Sequence, residues 1–107
     1  VALNNESFAE AARALAARSL NASLNSNDTE RLALAFRWCV ARPPTEFEVA
    51  ELEKLLKESR QCYESHSDDA MKLVGSTKVQ GYSAETIAAW IATSRILINL
   101  DEFITRE

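Results

Sequence analysis

The four residues that a helix interior tolerates least, Pro43, Pro44, Gly75 and Gly81, fall in two short stretches of a 107-residue chain. Proline lacks a backbone N–H and clashes with the preceding turn, and glycine costs backbone entropy. The remaining stretches are rich in Ala, Leu, Glu and Arg, all strong helix formers. No strand-like alternation of useful length and no internal repeat interrupts them. The pattern predicts an all-α fold: one domain over residues 1–107, built as a compact bundle of about four helices near 5–22, 28–41, 46–64 and 84–101, with room for a short extra helix at 68–74.

Local signals place the ends of these helices. Asn4 or Asn5 suits the N-cap of the first, with Leu3 and Phe8 as a hydrophobic staple if Asn4 is the cap. Phe8, Ala11, Ala12, Leu15 and Ser19 then share its inner face. Asn21 to Asn27 reads as a polar loop, and Asp28 and Glu30 favour the start of the second helix. Leu32, Ala35, Phe36, Cys39 and Val40 form that helix's inward stripe, and Leu34 and Trp38 form a flanking one. A helix apolar over so much of its girth is expected to be the central one. Pro43-Pro44 stops it. Thr45-Glu46-Phe47-Glu48 is a capping box that opens the third helix at once, so helices two and three are expected to pack antiparallel.

Leu52, Leu55, Leu56 and Tyr63 supply the apolar positions of the third helix. Glu53–Lys57 and Lys54–Glu58 are spaced as i,i+4 ion pairs. Ser67 is expected to cap the short helix and Gly75 to end it. Ser83 is expected to cap the last helix, whose core face carries Ile87, Trp90, Ile91, Ser94, Leu97 and Ile98.

A formal net charge of −4 argues against nucleic-acid binding, which needs a basic face, and against docking on anionic lipid. No apolar run approaches the ~20 residues of a membrane span, so no membrane insertion is expected. No N-terminal signal peptide is visible. The opening Val1-Ala2-Leu3 lacks an initiator Met, which suggests a piece of a longer protein.

Nothing in the sequence spells out catalysis, and no catalytic, cofactor-binding or metal-binding residue is assigned. His66, Asp68 and Asp69 lie close together but lack the i,i+4 placement of a zinc motif, so they read as a solvated loop. Cys39 and Cys62 are predicted to be free thiols. In a hairpin turning at Pro43-Pro44, Cys39 faces a residue near Glu48, and Cys62 lies about 21 Å further along, against the about 7 Å that a disulfide tolerates. Trp38, with Leu34 and beside Arg31 and Arg42, has the composition of an interaction surface; the alternative is that another helix covers it. Asp101 and Glu102 oppose the dipole at a helix C-terminus, which points to a structural polar cluster of Arg42, Asn99, Asp101 and Glu102 with an Arg42 bridge to one of the acids.

Three stretches together carry a resemblance. They are Ala2-Leu3-Asn4-Asn5, Ala35-Phe36-Arg37 through Arg42-Pro43-Pro44-Thr45 to Glu48, and Leu97-Ile98-Asn99-Leu100-Asp101-Glu102-Phe103-Ile104-Thr105-Arg106-Glu107. In this order the chain resembles the C-terminal part of a domain of unknown function found in large planctomycete proteins that also carry cytochrome-c-like domains. The resemblance implies a much longer, exported or periplasmic parent, a tail ending near Glu107, and a partner in the rest of the parent chain. It implies no activity, and the Cys-x-x-Cys-His haem signature is missing from this stretch. Two functions follow as expectations. The first is a non-catalytic helical packing or interaction module. The second is an accessory part of an enzyme or redox system, with Arg42, Asn99 and Glu102 lining a shared site. The oligomeric state is not legible.

Overall fold

The computed structural model describes the backbone of residues 5–22, 27–77 and 79–105, and the side chains of 6–22, 27–77 and 79–100. Among the described residues five helices form: α1 (Asn5–Asn21), α2 (Asp28–Val40), α3 (Glu46–Ser65), α4 (Ser67–Val74) and α5 (Ala84–Thr105). No strand is present among the described residues. The all-α bundle expected from the breaker pattern is therefore found, and the short extra helix is real.

Caps fix most boundaries. The Asn27 side chain accepts the Glu30 N–H at 2.8 Å at the head of α2. At α3 the capping box is complete: the Glu48 N–H donates to Thr45 Oγ1 at 3.1 Å, and the Thr45 N–H donates back to Glu48 Oε1 at 2.8 Å. Ser83 Oγ accepts the Thr86 N–H at 3.2 Å and starts α5. Leu3 and Asn4, the expected staple and one of the two candidate caps of α1, lie outside the described residues.

Two details differ from expectation. Helix α2 ends at Val40, two residues short of the prolines: Ala41 turns left-handed at φ 63°, and its N–H closes onto the Arg37 carbonyl. Ser67 is inside α4 and does not cap it; His66 occupies the cap position and makes no side-chain capping bond. The His66 Nδ1–H donates instead to the Cys62 carbonyl oxygen at 2.9 Å. One residue joins α3 to α4, and its ring is committed to finishing α3.

The central helix is α5, not α2. It touches each of the other four helices. Ile87, Ala88, Ala89, Trp90 and Ile91 are five successive buried residues, more than one full turn of 3.6, so this helix is enclosed all round over that stretch. Thr93, Ser94 and Leu97 extend the buried run. At 1.5 Å per residue its 22 residues span about 33 Å, close to the 38 Å longest dimension of the molecule. In α2 the buried apolar residues are confined to one stripe of Leu32, Ala35 and Phe36.

Helix α1 meets α5 through a stripe of mostly small residues, Ala12, Ala16 and Ser19 with Leu20, which lets the backbones approach closely. The Arg13 Nε–H donates to the Leu73 carbonyl at 3.1 Å, placing a cation at the negative end of α4. Helix α3 spends its polar groups on α2. Glu53 accepts from Thr29 Oγ1 at 2.6 Å, and Arg60 pairs with Asp28 at 3.3 Å. The i,i+4 ion pairs Glu53–Lys57 and Lys54–Glu58 are not formed; for Glu53, the cross-helix partner Thr29 takes the place of Lys57. No disulfide joins the two cysteines, Cys39 half-buried and Cys62 exposed, as the α2–α3 hairpin requires.

Among the described residues, two polar atoms on the buried stretch of α5 are uncompensated. Trp90 Nε1 and Ser94 Oγ, one turn apart on α5 and both fully buried, have no hydrogen-bond partner. Their neighbours solve the same problem differently: the Thr93 hydroxyl donates to the Ala89 carbonyl at 2.9 Å, and Ser19 to that of Leu15 at 2.8 Å.

Candidate functional site

Three of the four large apolar side chains that stand exposed among the described residues lie where α5 passes the start of α3. Phe47 is 72% exposed, Ile96 41% and Leu100 37%. All three line one groove of about 370 Å³, together with Phe36, Glu48, Glu51, Leu52 and Leu55. The spacing explains the convergence. Phe47, Glu51 and Leu55 are i, i+4 and i+8 on α3, and Ile96 and Leu100 are i and i+4 on α5, so each helix contributes one row. Buried Phe36 of α2 and Leu52 of α3 form the floor.

The end of this groove is clamped by charge. Arg42 meets Glu48 in a bidentate pair, Nη1 to Oε1 and Nη2 to Oε2, each at 2.9 Å. Such fork-to-fork pairs are geometrically specific. Glu48 Oε1 also accepts the Thr45 N–H, so one carboxylate closes both the cap and the turn. The Arg42 hydrogen bond, helped by the Thr45 N–H, lowers the Glu48 pKa from 4.5 to about 2; Glu48 in turn raises that of Arg42. The guanidinium carbon stands 5.0 Å over the Phe36 ring, a cation–π contact at the groove floor.

The other residues singled out from the sequence are placed differently. Leu34 and Trp38 are half-buried, and Trp38 packs against the core. The Arg18 guanidinium of α1 lies 3.8 Å from the Trp38 ring centroid, so one face of that indole is occupied from within the chain. Arg42 is engaged by Glu48, and Asn99 is exposed and makes no polar contact among the described residues. The side chains of Asp101 and Glu102 lie outside the described residues. Of the expected polar cluster, the side chains of Arg42 and Asn99 are described, and Arg42 pairs with Glu48 six residues along the chain.

Two further hollows lie among the described residues. One, about 600 Å³, lies between the start of α2 and α3 and mixes Asp28 and Glu53 with Lys54, Lys57 and Arg60. The other, about 460 Å³, brings Cys62, Tyr63, His66 and Asp69 together beside Ala92. Burial pushes the Tyr63 hydroxyl above its usual pKa. Cys62 and His66 stand at i,i+4, a spacing visible in the sequence but not grouped there. Among the described residues no three His, Cys, Asp or Glu side chains gather closely enough to hold a metal ion. No described helix is long and apolar enough to cross a membrane.

The chain matches no protein-family model, no curated protein and no solved structure. Its functional reading therefore stands on its own surface. Phe47, Ile96 and Leu100 were not marked as a site from the sequence, although a signal was present: Ile96 and Leu100 are apolar yet fall off the core stripe of α5.

Proposed function

We propose that this chain is a helical packing or interaction module that docks through the α3–α5 groove onto the rest of a longer parent protein. The observation that carries the reading is the convergence of Phe47, Ile96 and Leu100, from two different helices, on one apolar groove. Scattered exposed apolar side chains are ordinary, and Met71 on α4 is one; a contiguous set with a shaped floor and a charged rim marks a contact surface. The resemblance to a planctomycete domain associated with cytochrome-c-like domains supports an exported parent whose chemistry resides upstream.

The test is a titration of this chain against the separately expressed upstream remainder of the parent. Saturable binding that is weakened by Phe47→Ala with Ile96→Ala supports the reading. Binding that ignores these changes but is lost on Trp38→Ala moves the contact to α2, and no binding at all refutes the packing role.

A further inference from the structure

We propose that the α3–α5 groove takes a basic amphipathic helix, a partner class that rests on the interaction-module reading above. Shape is the first argument. Each wall rises in steps of one helical turn, Phe47 to Leu55 on α3 and Ile96 to Leu100 on α5, over a floor of Phe36 and Leu52. A helix presenting apolar side chains at i, i+3 or i+4, and i+7 matches such stepped rows.

Charge is the second argument, and it decides the class. Glu48 and Glu51 line the groove, and Glu46 directly precedes Phe47 on the first turn of α3. Arg42 neutralises Glu48, while Glu46 and Glu51 make no ion pair among the described residues. The rim is therefore acidic, and Lys or Arg flanking the partner's apolar stripe would complement it. A second copy of this chain fits poorly: a two-fold interface sets the same patch against itself, bringing two acidic rims together between chains that each carry −4. An anionic lipid surface is repelled by the same rim.

The experiment uses two labelled synthetic helices of about 16 residues, long enough to span the groove. They share one leucine stripe; Lys flanks it in the first and Glu in the second. Each is titrated against the whole chain by fluorescence anisotropy. The Lys helix is expected to bind saturably, about tenfold tighter than the Glu helix at low salt, with the margin shrinking as salt rises. The double variant Glu46→Lys with Glu51→Lys should reverse the preference. Phe47→Ala should weaken both helices about tenfold while leaving the circular-dichroism melt unchanged, since Phe47 is mostly exposed.

Equal binding of the two helices, still sensitive to Phe47→Ala, overturns the basic partner and leaves the docking groove standing. Binding of neither helix, or binding indifferent to Phe47→Ala, overturns both. Phe47-dependent dimerisation in sedimentation velocity assigns the groove to a second copy and likewise overturns the proposal.

Discussion

Ser94→Ala should make this protein more stable, although it removes a polar atom from the middle of the core. The Ser94 hydroxyl is fully buried and has no hydrogen-bond partner. Burying such a group unpaired costs about 1–3 kcal/mol in proteins. Alanine is also the better helix residue by up to about 0.7 kcal/mol. Against this stands the void left by one oxygen. At most about 15 Å³ at about 24 cal/mol per Å³ amounts to ~0.4 kcal/mol. The net expectation is a gain of about 1–2 kcal/mol, or roughly 5–10 °C in Tm for a domain of this size. Thermal and urea unfolding followed by far-ultraviolet circular dichroism measure it directly. Ser19→Ala is the internal comparison, because that equally buried hydroxyl donates to the Leu15 carbonyl at 2.8 Å. There the lost bond and the gained propensity nearly cancel, leaving a change within about 0.5 kcal/mol. If Ser94→Ala is no more stabilising than Ser19→Ala, the reasoning fails. The Ser94 hydroxyl would then have to reach the Trp90 carbonyl one turn back, as Thr93 reaches that of Ala89.

Three further outcomes follow from the helix ends and from Trp38. Ala41→Gly should stabilise by about 0.5–1 kcal/mol in chemical denaturation, because φ 63° strains an alanine and suits a glycine. The Glu48 carboxyl, held at about 2 in the fold by Arg42 and Thr45 against an ordinary 4.5, contributes stability that is complete above pH about 4.5 and lost as pH falls through about 2. Unfolding free energies measured across that window should fall more steeply for the native chain than for Glu48→Gln. Arg18→Ala should cost about 0.5–1 kcal/mol and open Trp38 to acrylamide quenching, with fully buried Trp90 as the protected reference.

Two helix starts were legible because caps act within four residues: the Thr45–Glu48 box and Ser83 bond to their own first turn. The identity of the central helix was not, and the reason is physical. Leu34 and Trp38 widen the apolar girth of α2 in the sequence, but girth alone does not say which helix the others pack on. Ala88, Ala89 and Thr93 read as bland positions; they are buried because four helices surround them. Trp38 shows the same limit, since the Arg18 that lies on its ring is twenty residues away and reaches it only once α1 and α2 pack. The groove was half legible. Ile96 and Leu100 stood off the core stripe in plain view, but only the tertiary fold could set Phe47 beside them, because its row is on α3 and theirs is on α5.

The enclosure of α5 has a consequence for how the protein is made. Chain order places the hub after the four helices that pack on it. During synthesis α1 to α4 emerge before the helix that all four touch, with only the smaller α1–α2, α2–α3 and α3–α4 contacts to form. At about 5–20 residues per second, adding the 22 residues of α5 takes roughly 1–4 s. For that interval the nascent helices lack the hub of their core and are open to chaperones and to wrong partners. The core closes only when residues 84–105 become available.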